Sequence, residues 1–162
     1  MINIYSDLSS NSQQAVTLQK TKNLGEYKNG KVVYSPCEAA YLIEIRNAQL
    51  IKNNKPLLLN QALKQILRSK DFQNNYLVFK DLRKKGYIPK AGLKFGADFR
   101  VYVKSEKHAK YLLHIADEKD KASFKELLTK TRISHSTAKK LLIALIDTQK
   151  DITYLEIDWV KM

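Results

Sequence analysis

A chain of 162 residues is long enough to bury a real core and to hold one domain or two small ones. With 44% hydrophobic and 28% charged residues it is globular, which excludes a disordered chain. The 29 Lys and Arg against 16 Asp and Glu leave a net charge of +13, which points either to a polyanionic partner bound through its phosphates or to a solvated basic surface. The single cysteine, Cys37, excludes a disulfide framework and a Cys-rich zinc site, and three histidines without HExxH spacing argue against a dedicated metal site. No cofactor is expected. No signal peptide opens the sequence and no apolar run approaches spanning length, so a cytoplasmic protein without a membrane contact is expected.

The first elements in the chain are weakly patterned. Residues 1–5 (MINIY) and 16–18 read as strands, and residues 26–34 (EYKNGKVVY) as a hairpin around Asn29-Gly30. Ser35 caps a helix with Pro36 in its first turn and Ala39, Leu42, Ile43 and Ile45 on its apolar side. Leu50 and Ile51 suggest a short strand ending at Asn53-Asn54, and Asn60 is the expected cap of a helix carrying Leu63, Ile66 and Leu67. Composition shifts near residues 69–71, where the domain boundary is expected, giving domains 1–69 and 70–162.

Residues 72–85 predict a helix with Phe72, Tyr76, Phe79 and Leu82 on one stripe, closed by Gly86. Basic residues crowd its end and the following loop: Lys80, Arg83, Lys84, Lys85, Lys90 and Lys94. That run leads directly into residues 95–103, where Phe99, Val101 and Val103 alternate with Asp98, Arg100 and Tyr102, the period of a half-buried strand. Tyr102 therefore shares its face with charged residues, away from the core. A polar break at 104–107 precedes a second strand from His108 to Ile115, so the hairpin offers Tyr102 and His108 from neighbouring strand ends.

Beyond the hairpin lies an acidic loop at 117–121 with Asp117, Glu118 and Asp120, either a solvated turn or a plug for a basic pocket on another subunit. Ser123 to Glu126 matches a capping box. Residues 141–147 read as a second apolar helix capped by Ser134 or Ser136, with Lys139 near its start, where the helix dipole favours an anion. Residues 152–160 read as a closing strand.

Tyr102, His108 and Lys139 form a metal-free set suited to RNA cleavage by the RNA's own 2′-hydroxyl. One group takes the 2′-OH proton, another protonates the departing 5′-oxygen, and a cation stabilises charge on the phosphorane. Each also has a plainer reading: a surface aromatic, a turn histidine, one lysine among many. His114 is read as a strand residue and His135 as part of a helix start.

The run from Asn75 to Tyr102, with GLKFGADFRVY at its end, then His108 with AKYLLHI, then RISHSTAKKLLIALID from Arg132 to Asp147, resembles the catalytic domain of the archaeal tRNA-splicing (tRNA-intron) endonucleases. The resemblance covers about Phe72 to the end, and the first 69 residues are compatible with the family's smaller N-terminal domain. It implies an α+β to α/β protein: a small mixed N-terminal domain, then a C-terminal α/β catalytic domain whose central mixed sheet is flanked by helices. It implies Tyr102 as general base or 2′-OH-orienting group, His108 as general acid and Lys139 as transition-state stabiliser. A phenol, ionising near pH 10, is ordinarily a poor base at neutral pH, so this role calls for a nearby cation, Lys139 or Arg100. Arg132 falls where the family sandwiches an extruded base; Trp159 is a looser RNA-binding candidate with a subunit-contact role equally open, and Arg100 completes the expected RNA-binding set. The connection from Tyr102 to His108 is shorter than in some members of the family.

The implied activity is excision of introns from precursor tRNA at bulge-helix-bulge sites, leaving 2′,3′-cyclic phosphate and 5′-hydroxyl ends without metal. Asp117, Glu118 and Asp120 resemble the loop these enzymes insert into a neighbouring subunit. A homotetramer or a heterotetramer with a structural subunit is implied. The alternatives are a non-catalytic structural subunit or an RNA-binding module without chemistry.

Overall fold

A computed structural model describes residues 1–104 and 106–162. Ser105, part of the expected polar break, lies outside the described residues. The chain divides into two compact units, Met1–Tyr76 and Leu77–Met162, of mixed helix and strand content.

The first unit opens with β1 (Ile2–Ile4) and β2 (Ser9–Ser10). Residues 16–18, expected as a strand, lie instead inside α1 (Gln13–Lys22), whose cap Ser12 accepts the Ala15 N–H at 3.2 Å. β3 (Glu26–Lys28) and β4 (Lys31–Val33) form the expected hairpin. Its two turn residues, Asn29 and Gly30, hold φ of 49° and 80°, the left-handed conformation a two-residue hairpin loop requires.

α2 (Pro36–Glu44) begins as the sequence foretells. Ser35 and Glu38 form a reciprocal capping box, and the Glu38 carboxylate also accepts the Gly25 N–H at 2.9 Å. Those donors offset the cost of burying the acid. Beside it, burial pushes the Cys37 thiol up to about 12, which leaves it a protonated packing group and not a nucleophile. β5 (Ala48–Lys52) runs parallel to β1 and pairs with β6 (Lys55–Pro56). α3 (Leu59–Ile66) follows Leu58, which makes no side-chain cap; Asn60, the expected cap, is already helical.

α4 (Lys70–Lys84) spans the division between the units. Within the second unit its Val78, Phe79 and Leu82 are buried, while Phe72, expected on the same stripe, is 40% exposed. Gly86, at φ 87°, closes the helix: Tyr87 N–H reaches Leu82 O at 2.9 Å and Gly86 N–H reaches Arg83 O at 3.1 Å, the paired bonds of a Schellman end.

The second unit is a five-stranded sheet among the described residues, in the order β11-β10-β9-β8-β7. β7 (Ile88–Ala91), β8 (Phe99–Tyr102) and β9 (Tyr111–Asp117) are successive antiparallel neighbours. β10 (Lys140–Ile146) returns parallel to β9 through α5 (Phe124–Ser136), and β11 (Ile152–Ile157) closes the edge antiparallel to it. Residues 141–147, expected as a helix, are thus mostly strand, and Ser134 and Ser136 end α5 instead of capping a later helix. The strand expected from residue 95 starts at Phe99, because Leu93–Phe95 form a 3-10 turn. The strand expected from His108 starts at Tyr111.

The register sorts the sheet into two faces. Phe99, Val101, Tyr111, Leu113 and Leu142 lie on one, which α4 covers: the Phe79 and Phe99 rings stand 6.1 Å apart and Tyr154 O–H donates to Asp81 at 2.7 Å. Arg100, Tyr102, Leu112, His114 and Leu141 lie on the other, against which α5 packs.

Burial, followed by the nearby Lys130, lowers the pKa of His114. A depressed folded-state pKa gives stability that is full above the unfolded value near 6.5 and is lost as pH falls below it. Urea unfolding at pH 8 and pH 5.5 is expected to show a fall in stability that His114→Gln reduces; an equal fall in both proteins contradicts it.

Candidate active site

β8 ends, and β9 and β10 begin, at one end of the sheet. The backbone there is tied across the strands: Lys110 N–H donates to Val101 O at 2.9 Å and Lys140 N–H to Lys110 O at 3.0 Å. Tyr102, the last residue of β8, and Lys139, just before β10, therefore stand two strands apart, roughly 10 Å along the hydrogen-bonding direction. By alternation from Leu141, Lys139 takes the same face as Tyr102 and Arg100. Ring contacts join them. The Lys139 ammonium lies 5.1 Å from the Phe95 ring centre, and the Arg100 guanidinium lies 5.9 Å from Phe95 and 5.9 Å from Tyr102.

Lys139 does not start a helix, as its spacing suggested; it follows the end of one. Ala138 takes φ 56°, and its N–H and that of Lys139 close on His135 O and Ser134 O at 3.0 and 2.8 Å, another Schellman end. The Lys139 side chain then donates to Thr137 O at 2.8 Å. The negative end of the α5 dipole favours a cation at this place. The two adjacent lysines are used differently: Lys140 ion-pairs with Glu156 at 2.6 Å and Asp158 at 3.6 Å, whereas among the described residues Lys139 forms no ion pair.

His108 is exposed in the segment between β8 and β9, two residues ahead of Lys110 and so at the same end of the sheet, though not on a strand. Arg100 sits with Tyr102 as described. Phe95, whose ring both cations meet, is not among the residues the sequence singled out; Gly92 and Gly96 around it were the available signal.

The sequence matches the family described as tRNA intron endonuclease, catalytic C-terminal domain, over residues 72–154. A tRNA-splicing endonuclease of Pyrococcus abyssi is 36% identical over 89% of this chain and 85% of its own length. One from Thermococcus kodakarensis is 35% identical over 94% and 92%, and one from Sulfurisphaera tokodaii 34% over 91% and 83%. The chain belongs to the tRNA intron endonuclease family. The family match takes in Arg100, Tyr102, His108, Arg132 and Lys139 and stops short of Trp159.

In this tRNA intron endonuclease chain the remaining expected residues fall elsewhere on the second unit. Arg132 of α5 and Trp159 line one groove of about 580 Å³ with Phe124, Leu128 and Val160. The Trp159 ring packs 4.9 Å from that of His135, which lies at the end of α5 and not at a helix start. The acidic loop is held at its root: Asp117 N–H donates to Asp120 at 2.8 Å, and Glu118 accepts the Thr148 N–H at 3.1 Å. Among the described residues no helix is long and apolar enough to cross a membrane.

Proposed function

We propose that this chain excises introns from precursor tRNA in the cytoplasm, cutting at bulge-helix-bulge junctions to leave 2′,3′-cyclic phosphate and 5′-hydroxyl ends, with residues 70–162 as its catalytic domain. The observation that carries the reading is the chain of ring contacts that links Tyr102 through Arg100 and Phe95 to Lys139, at the end of the sheet where His108 also lies. Tyr102 takes or orients the proton of the 2′-hydroxyl as that oxygen attacks phosphorus. His108 gives a proton to the departing 5′-oxygen, and Lys139 stabilises the charge on the phosphorane. Arg100 supplies the positive charge beside the phenol that such chemistry calls for. None of these steps asks for a metal ion or an external nucleophile.

Arg132 and Trp159 hold the RNA away from the reacting phosphate, by stacking on unpaired bases at the bulge. Two junctions need two catalytic sets, so the working enzyme is a multimer, either a homotetramer or a heterotetramer with a structural subunit. Its support here is β11, which among the described residues stands at the edge of the sheet with Leu155 43% exposed. Asp117, Glu118 and Asp120 serve as a subunit-contact loop in that assembly.

Incubating the purified chain with an intron-containing precursor tRNA and a chelator tests this directly. Both junctions are expected to be cut. A chain that binds the RNA and leaves it whole, alone and with a structural subunit, contradicts the proposal and favours an RNA-binding module.

A further inference from the structure

Phe95 is presented by a tight turn. Its N–H donates to Gly92 O at 2.9 Å, and a Cβ on Gly92 would lie 2.6 Å from Ala97 O, so any side chain there would force the backbone to shift. Gly96 follows at φ 64°. The half-buried ring this turn holds has the Lys139 ammonium 5.1 Å and the Arg100 guanidinium 5.9 Å from its centre. A lysine at the end of a four-carbon stem has many rotamers, and a catalytic cation must be confined to one. Thr137 O confines it from one side at 2.8 Å, and the negative face of an aromatic ring attracts it from another. An ammonium has three N–H donors, so these contacts still leave it a donor for a phosphate oxygen.

We infer that Phe95 is a positioning residue of the cleavage reaction, its ring fixing the Lys139 ammonium where charge develops on the scissile phosphate, and that Arg100, on the same ring, keeps that cation in step with Tyr102. The inference rests on the reading of Lys139 as the phosphate-facing cation. An interaction that holds a group needed in the transition state shows in the rate of the chemical step and not in ground-state affinity.

The test measures single-turnover cleavage of precursor tRNA, with RNA affinity and melting temperature alongside, for Phe95→Leu, Phe95→Tyr, Lys139→Ala and the double variant Phe95→Leu with Lys139→Ala. Phe95→Leu keeps apolar bulk and loses the ring, so its cleavage rate is expected to fall roughly 5- to 30-fold with the dissociation constant for RNA unchanged. Phe95→Tyr restores most of that loss, and Phe95→Leu slows Lys139→Ala no further. A Phe95→Leu rate equal to wild type, a Phe95→Tyr rate as low as that of Phe95→Leu, or a full additional loss in the double variant overturns the inference. Wild-type cleavage by Lys139→Ala overturns the underlying reading and the inference with it, whereas a slow Lys139→Ala beside an unimpaired Phe95→Leu overturns the inference alone.

Discussion

His108→Ala is expected to slow precursor tRNA cleavage by about 10²- to 10⁴-fold, the usual contribution of a positioned general acid. The side chain is exposed and lies on no strand, so its removal leaves the sheet and its packing intact. RNA affinity is expected to stay within about twofold, because one imidazole adds little to a surface carrying a net charge of +13. Single-turnover cleavage and filter binding on the same preparation separate the two quantities. Unchanged cleavage would remove His108 from the chemistry and leave the departing oxygen without a proton donor. A parallel loss of affinity and rate would make it a binding residue.

Phe79→Ala is expected to destabilise the protein by about 3–5 kcal/mol. Phe79 is 1% exposed and its ring meets Phe99 across the face of the sheet that α4 covers. Truncation leaves a cavity between the helix and the strand that carries Tyr102, so stability and activity are lost together. Against a total of roughly 5–15 kcal/mol for an ordinary domain, that loss is large. Phe72, although placed on the same stripe by spacing alone, is 40% exposed, and Phe72→Ala is expected to cost under about 1 kcal/mol. Urea unfolding of both variants checks the contrast; similar losses would contradict the packing described.

Two helix ends show why part of this architecture was legible in the sequence and part was not. α4 and α5 both close with Schellman hydrogen bonds. At α4 the left-handed residue is Gly86, a stop signal visible in the sequence, and the helix ends where that glycine predicts. At α5 the same conformation falls on Ala138, which carries no such signal, so Ser134 and Ser136, which end this helix, look like caps of a new one over 141–147 where β10 stands. Periodicity offered no correction, because β10 is covered on both faces and reads as the unbroken apolar run LLIALI. In α1, Val16 and Leu18 imitate a period of two while only Ala15 is fully buried, so an exposed helix passed for a strand.

The hairpin behaved differently. Phe99 and Val101 alternate with Arg100 and Tyr102 on a strand whose faces differ in burial, and the face of Tyr102 followed from parity alone. The family was legible too, in the run GLKFGADFRVY. The link from Phe95 to Lys139 was not, since it joins residues far apart in the chain through a ring contact that leaves no periodic trace.

In the proposed reaction the RNA's own 2′-hydroxyl attacks the scissile phosphorus under the guidance of Tyr102, His108 and Lys139. A precursor tRNA bearing one 2′-deoxynucleotide immediately 5′ of a splice-site phosphate tests it most directly. That junction is predicted to stay uncut while the unmodified junction of the same molecule is cleaved, and cleavage at the deoxy position at an undiminished rate would contradict the account.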